Sequence, residues 1–305
     1  MRAVTLLSLA AAGLAFAQAD LTAALDQIAS AELSRQKIPG VAAVVVKNDQ
    51  ILWAAGLGVA SLEAKTPVTP DTLFRLGSAR VFLAAAAFEL SGQGRLRLES
   101  PAGDYLFGLD EKEARLSTRA LLSPPSETAE EAVAARLLAT IRAKPAPGLL
   151  EEMVFAPLGM VHTTFSQSLA MTYPLAVGHT ADRKITRPME GNSLFSSASD
   201  LARFLIAYLN EGRVGDRQVL APAMITALSS GTGYGLDADA ARGVRLIRQT
   251  SAAPGYAAAI LMAPEFHAGV VVLANREGAS AITIAQKLLE RSLPVRFPQS
   301  VAVVR

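Results

Sequence analysis

The side chain of this sequence best suited to covalent chemistry is the hydroxyl of Ser78, at the predicted start of an alanine-rich helix that runs to about Leu90. A serine attacks a carbonyl efficiently only when an adjacent base takes its proton. One turn further on the same helix face stands Val81, which neither accepts nor donates a proton. Arg80 faces another direction, and its guanidinium does not deprotonate in proteins. Ser78 is therefore either a residual nucleophile or the helix N-cap, a position that favours serine.

Apolar segments at the two ends of the chain flank a middle region that is mostly helical. Strands are predicted at Val41–Lys47, Ile51–Gly56, Val244–Gln249, Tyr256–Met262 and Gly269–Ala274, and terminal helices at Leu21–Ser34 and Ala279–Arg291. The pattern predicts an α/β chain. We expect one antiparallel sheet flanked by helices, built from about residues 20–75 and 240–295, with a helical subdomain over about 76–239.

Several segments, in order along the chain, resemble the serine β-lactamase and penicillin-binding-protein-like family, in its class C β-lactamase and esterase branch. They are Ile38–Ala42, Pro67–Phe74, Phe155–Met160, Leu194–Phe204 and Pro254–Tyr256. The resemblance covers nearly the whole chain after the first residues, and it implies a β-lactamase/transpeptidase-like fold. It also places Asp71–Val81 where that family carries F-x-x-x-S-x-x-K.

The same resemblance shows departures at each of the three catalytic motifs of the family. Ser78 matches the family nucleophile, but Val81 stands at the lysine position. The Y-x-N element falls near Glu130–Ala132, and the K-T-G or H-x-G strand motif reads Gln249–Ser251. Losing parts that act as one catalytic unit costs most of the rate. The resemblance therefore implies a family member with impaired catalysis.

Literal motif matches elsewhere in the chain are interpreted as coincidences. Ser34–Lys37 is a true S-x-x-K string, Tyr208–Asn210 a true Y-x-N, and His267–Gly269 a true H-x-G. Each lies where the family has an ordinary structural segment, and patterns of three or four residues arise by chance in a chain of this length.

Further candidates surround these positions. A binding cleft is predicted to be lined by Thr250, Ser251 and Ala252. Backbone donors at Ser78 and Ala252 are predicted to form its oxyanion hole. Thr250 is equally interpretable as a strand residue without a role in the cleft. Tyr105 is a candidate for the mouth of the cleft.

Two glutamates and two histidines complete the set of titratable candidates. Glu130 and Glu131 are either a replacement base or a solvated face near a helix start. His162 and His179 are expected at the surface, and their spacing predicts no metal site.

The first residues have the form of an export signal. Arg2 precedes an apolar run from Ala3 to Gly13, and Ala15–Ala17 is an A-x-A cleavage site, so residues 1–17 are predicted to be a signal peptide and 18–305 the mature domain. The run is too short for a membrane span. Without cysteine there is no lipid attachment, and the predicted location is the periplasm or the exterior.

Composition and motifs together leave three functional hypotheses. The formal charge of +2 argues against nucleic acid as a partner, and no cofactor or metal is predicted. The first hypothesis is an impaired family member that binds peptidoglycan-type peptides, a small ester or amide, or a partner. The second is an active esterase, D-amino-acid peptidase or β-lactamase that acts through an acyl-enzyme on Ser78. The third is a structural envelope protein; the oligomeric state is open in all three.

Overall fold

The computed structural model describes residues 2–123, 128–186, 193–229, 232–233, 236–241 and 244–293. Its strands are β1 Gly40–Lys47, β2 Gln50–Gly58, β3 Phe74–Leu76, β4 Leu194–Ser196, β5 Arg213–Val214, β6 Arg217–Gln218, β7 Thr232–Gly233, β8 Leu236–Ala241, β9 Val244–Ala253, β10 Tyr256–Ala263 and β11 Ala268–Ala274. Its α-helices are α1 Arg2–Arg35, α2 Arg80–Gly92, α3 Glu111–Arg115, α4 Thr118–Leu122, α5 Thr128–Arg142, α6 Ala146–Leu150, α7 Ala156–Leu158, α8 Gln167–Ala170, α9 Ala198–Leu209, α10 Pro222–Ser229 and α11 Ala281–Ser292.

Segments from both ends of the chain form one seven-stranded sheet in the order β2-β1-β11-β10-β9-β8-β7, with every described pairing antiparallel. The predicted α/β fold class, with an antiparallel sheet flanked by helices, is confirmed. The two predicted strands Val41–Lys47 and Ile51–Gly56 pair directly as a hairpin that turns at Asn48 and Asp49.

The sheet is buried on both faces because helices cover each side. Along β1 alternate residues enter two different hydrophobic clusters, Ala42, Val44 and Val46 on one side and Val41, Ala43 and Val45 on the other. Helices α1 and α11 pack on the second face, while α9 packs on the first. Successive side chains of a strand point to opposite faces of the sheet, and here both faces pack against apolar side chains. This explains the continuous valine and alanine runs in the sequence.

The helical part lies against the first face and is centred on α2. All but four of the thirteen residues of this helix are buried, including Phe82, whose ring meets Phe155 and Phe204 edge to face with centroids 5.3 and 5.4 Å apart. Such edge-to-face aromatic contacts favour one packing geometry. They fix the direction of α2 and therefore the position of the segment that leads into it.

The first helix is longer than expected. The sequence predicts a helix from Leu21, opened by Asp20, whereas α1 is one continuous helix from Arg2 to Arg35. Alanine and leucine have high helix propensity, and no helix-breaking residue separates the apolar run from the amphipathic segment that begins at Leu21. The two segments therefore continue as one helix. Within the part of the chain described here, no helix combines the length and hydropathy needed to cross a membrane.

Candidate functional site around Ser78

Ser78 lies in the short connection between β3 and α2. Its hydroxyl donates to Oε2 of Glu131 at 2.7 Å and accepts the backbone N–H of Arg80 at 3.1 Å. The prediction that Ser78 is the N-cap is wrong by one residue: the N-cap is Ala79, which has no side-chain cap. The chain stays non-helical through Ala79, so the serine hydroxyl satisfies a first-turn N–H from just outside the helix.

Glu131 is the partner that the sequence left undecided between a base and a solvated residue. It lies in the first turn of α5, and its Oε1 accepts the backbone N–H of Ala79 at 2.7 Å. Arg80 places its Nη2 atom 3.7 Å from Oε2 of the same carboxylate, and both side chains are mostly buried. The carboxylate of Glu131 is therefore held by three groups at the entrance of α2, and the reading of Glu131 as part of a solvated face is wrong.

Val81 lies one turn after Ser78 and is almost completely buried in the main hydrophobic cluster. Its neighbours in that cluster are apolar side chains of α2 and the surrounding helices. An aliphatic residue here is well packed, and it supplies no group that exchanges a proton with Ser78.

Strand β9 forms the opposite wall. Gln249 and Ser251 line, together with Ser78, a narrow cavity of about 20 Å³ that reaches between α2 and the sheet, which is room for roughly one water molecule. Thr250 and Ala252 alternate with them and are exposed on the other face of the strand. The structure thus brings Ser251 next to Ser78 and turns the side chain of Thr250 away.

The main chain of Ala252 comes close to the nucleophile. The two-residue turn at Pro254 and Gly255 makes Ala253 and Tyr256 a hydrogen-bonded pair, so the N–H and C=O of Ala252 point away from β10. They point towards Gly77, where an added Cβ would lie only 2.7 Å from the carbonyl carbon of Ala252. The atom of Ala252 nearest that Cβ is its carbonyl oxygen, at 2.1 Å, and the use of Ser78 and Ala252 as paired backbone donors stays a prediction.

A wider groove opens on the other side of Glu131. It has a volume of about 440 Å³ and is bounded by α2, α5 and α6. Besides Glu131 and Arg136, its walls are apolar: Ala79, Leu83, Ala132, Ala135, Ala139, Pro145, Ala146, Pro147, Leu150 and Phe165. The groove therefore brings an apolar surface up to Glu131 and Ala79, while Ser78 lines the narrow cavity on the sheet side.

A serine before a buried helix, beside an antiparallel sheet, is the arrangement that the sequence resemblance implies. The family model described as Beta-lactamase matches residues 25–291. The chain belongs to the β-lactamase family.

Curated relatives match over part of their length. Esterase EstB of Burkholderia gladioli is 35% identical over 89 residues, which are 29% of this chain and 23% of the esterase. A β-lactamase of Pseudomonas fluorescens is 32% identical over 88 residues, 28% of this chain and 24% of that protein. The matched stretch spans about a quarter of each relative.

Solved structures match over nearly the whole chain. The D-alanine carboxypeptidase AmpC of Burkholderia cenocepacia has a TM-score of 0.76 at 21% identity, over 90% of this chain and 99% of that one. The octameric penicillin-binding protein homologue of Pyrococcus abyssi has a TM-score of 0.78 at 19% identity, over 90% and 78%. At these identities the likeness is one of fold.

The other candidate residues of this β-lactamase family member are placed as follows. Tyr105 turns its hydroxyl towards the backbone N–H of Arg97, which donates to it at 3.0 Å. His162 is half-buried and its backbone N–H donates to Asp200 at 2.8 Å. The prediction of a surface position is wrong for His179, which is fully buried with Nδ1 3.0 Å from the carbonyl oxygen of Asn275.

Each literal motif match lies in a structural segment of the family fold. Ser34 and Lys37 are at the end of α1. Tyr208 is buried in α9, with its hydroxyl 3.0 Å from Oγ of Ser229. His267 has a positive φ of 46° in the turn between β10 and β11. None of these positions lies beside Ser78 among the contacts described for the chain.

Proposed function

We propose that this protein is a β-lactamase family member that has lost the lysine-dependent acyl transfer of the family and is catalytically impaired towards β-lactams and peptides. The observation that carries the proposal is the burial of Val81 in the hydrophobic core, one turn after Ser78. Proton transfer at that position is chemically impossible for an aliphatic side chain. The hydroxyl of Ser78 is instead directed towards Glu131.

The second and third motif positions support the same proposal. Expulsion of an amide nitrogen needs a proton donor as well as a base, and near Ser78 the described residues offer one carboxylate, Glu131, for both tasks. On β9, Gln249 stands where the resemblance implies a lysine or histidine, so the strand has no cation there to attract the carboxylate of a penicillin or a peptide C-terminus.

We propose that the cleft binds a peptidoglycan-type peptide without turning it over. Beyond Arg248 no described strand pairs with β9 on its β8 side, and alternation directs the N–H of Thr250 to this edge, while the N–H of Ala252 points towards Gly77. An exposed strand edge is a standard site for an extended peptide, which adds main-chain hydrogen bonds to it. The fold likeness to the D-alanine carboxypeptidase of Burkholderia cenocepacia favours this class of ligand.

The location follows from the first residues. We propose that residues 1–17 are removed on export and that residues 18–305 act in the periplasm or outside the cell. N-terminal sequencing of the mature protein should begin at Gln18, or at Asp20 if the second A-x-A site, Ala17–Ala19, is used. A mature protein that keeps Met1 would show that the segment is not a cleaved signal.

Two measurements test the impairment and the binding separately. Incubation with a fluorescent penicillin, followed by peptide mapping, should leave Ser78 unlabelled; a stoichiometric adduct on Ser78 would identify an active family enzyme. Calorimetry with a peptidoglycan stem peptide should show binding that Thr250→Pro weakens, because proline removes an edge N–H, whereas Thr250→Val keeps it. If the wild type binds no peptide, the structural-envelope hypothesis replaces the binding role.

The alternative of an active hydrolase on Ser78 is favoured by one observation, the 2.7 Å contact between Ser78 and Glu131. A nucleophile within hydrogen-bonding distance of a base that other groups orient is the usual arrangement for covalent catalysis. This contact permits a reaction less demanding than amide or β-lactam cleavage.

A further inference from the structure

We infer that Ser78 and Glu131 form a residual ester-hydrolysing pair, in which Glu131 is the general base and the apolar groove beside it takes the acyl chain of the ester. This inference rests on the alternative of an active hydrolase on Ser78 and names its base and its substrate class; it is independent of the lost lysine-dependent reaction on amides and β-lactams.

The geometry of the pair meets the distance requirement for general-base catalysis. Oγ of Ser78 lies 2.7 Å from Oε2 of Glu131, within the range needed for direct proton transfer. The other oxygen of the carboxylate, Oε1, accepts the N–H of Ala79 at 2.7 Å, and Nη2 of Arg80 lies 3.7 Å from Oε2 itself. Glu131 is thus oriented by a separate hydrogen bond, which leaves Oε2 directed at the hydroxyl.

The reaction balances with these two side chains and water. As Oγ of Ser78 forms its bond to the ester carbonyl carbon, the hydroxyl proton passes to Oε2 of Glu131 and the carbonyl π electrons move to oxygen. Collapse of the tetrahedral intermediate breaks the bond to the leaving oxygen and gives an acyl-serine. Glu131, after losing its proton to solvent or to the leaving oxygen, then takes a proton from water. The water attacks the acyl carbon, and the proton returns to Oγ as the acid departs.

The expected substrates are esters with good leaving groups. A phenolate leaves without protonation, so a single carboxylate is sufficient, whereas an amine needs an acid at the leaving nitrogen. The developing oxyanion would lie near the main chain of Ala252, which faces Gly77, the residue before Ser78.

The groove selects for an apolar acyl chain. Its walls include Ala79, which follows Ser78 in the chain, and Glu131, which accepts the hydroxyl of Ser78. Ser78 itself does not line the groove, so the acyl chain would enter it past the carboxylate of Glu131. Apart from Glu131 and Arg136 the lining is aliphatic, proline or aromatic. At a volume of about 440 Å³ it is large enough for a short or medium acyl chain, and burial of each methylene contributes about 0.8 kcal/mol by transfer.

The purified wild-type protein and four variants test the pair, with p-nitrophenyl acetate and p-nitrophenyl hexanoate as probes. Wild type should hydrolyse both above the buffer rate and prefer the hexanoate. Ser78→Ala and Glu131→Gln should each lose roughly 100-fold or fall to the buffer rate, since general-base catalysis contributes about 10²–10⁴-fold. Glu130→Gln, the same change one residue earlier in α5, should retain the wild-type rate. Ala135→Trp, which fills the groove, should lower hexanoate hydrolysis more than acetate hydrolysis.

A fluorophosphonate probe adds a readout independent of turnover. Mass mapping should place the adduct on Ser78 in wild type and show much slower labelling in Glu131→Gln. If Glu131→Gln does not fold, Glu131→Asp keeps the charge with a shorter reach and should show an intermediate rate. A wild type at the buffer rate, or full activity in folded Glu131→Gln, would overturn the inference. Either result leaves the proposed impairment untouched, because that proposal fails only through a penicillin adduct on Ser78.

Discussion

At the scale of single residues, the burial of Val81 has the strongest consequence for stability and catalysis. Val81 is buried with 1% of its surface exposed, so a lysine placed there must bring an ammonium group into an apolar cluster. We expect Val81→Lys to lower the free energy of unfolding by about 2–4 kcal/mol, because a buried charge without partners is costly. We also expect it to restore no β-lactam turnover, because catalytic groups that act as a unit do not return singly.

Thermal melting and nitrocefin hydrolysis of Val81→Lys measure the two effects. Val161→Lys is the matched control, since Val161 is 66% exposed and the same substitution there should leave the melting temperature unchanged. A stable Val81→Lys variant with strong β-lactam turnover would show that the remaining motif positions are intact.

The residue scale also shows the limit of sequence reasoning. Ser78 and Val81 are three positions apart, so helix periodicity alone places them on one face. Glu131 is 53 positions from Ser78, and its contact depends on how α5 packs on α2. Acidic residues early in a helix are commonly explained by the helix dipole. The sequence therefore could not distinguish Glu131 from Glu130 as the partner of Ser78. The one signal for this region was the assignment of Glu130–Ala132 to the second motif position.

At the scale of elements, the site depends on how closely the β3–α2 connection approaches β9. A Cβ at Gly77 would collide with backbone atoms of Ala252, which cannot move aside as a side chain can. We expect Gly77→Ala to push the two segments apart, costing about 1–3 kcal/mol of stability as overpacking does. It should also abolish any hydrolysis at Ser78, because the oxyanion donors would be displaced.

Melting temperature and ester hydrolysis of Gly77→Ala are to be compared with those of Gly92→Ala. A Cβ at Gly92, the last residue of α2, meets nothing within 4 Å, so alanine there should be neutral or slightly stabilising. Equal behaviour of the two variants would contradict the close approach.

Long elements with clear periodicity were predictable, and short ones were not. Strands β1, β10 and β11 follow predicted apolar runs, because burial on both faces leaves an unbroken hydrophobic signal. Strands β2 and β9 also follow predicted runs, although both are only partly buried. The three-residue strands β3 and β4 form by pairing with each other, and β4 also bridges Thr164, so no local pattern marks them. The burial of His179 likewise depends on a distant partner, the carbonyl of Asn275.

At the scale of the whole molecule, the two ends of the chain are joined by a charged network between α1 and α11. Glu32 is buried and accepts hydrogen bonds from Arg35, at 2.6 Å from Nη2, from Gln36 at 3.0 Å and from Lys287 of α11. Burial by itself raises the pKa of Glu32, but the bonds from Arg35, Lys287 and Gln36 outweigh it and lower the pKa from 4.5 to about 2. The folded state therefore stabilises the ionised form of Glu32.

This shift predicts an acid dependence of stability that Glu32 controls. A carboxyl whose pKa is lower in the folded state stabilises the protein above its unfolded pKa, and the contribution is lost as the pH falls from about 4.5 towards 2. Glu32→Gln should therefore lower stability at neutral pH by about 2–3 kcal/mol and flatten the fall of melting temperature between those pH values. Glu111→Gln, which removes an exposed carboxylate paired with Arg115 on the surface, should follow the wild-type pH curve. Parallel pH curves for wild type and Glu32→Gln would mean that the contact between α1 and α11 depends on apolar packing alone.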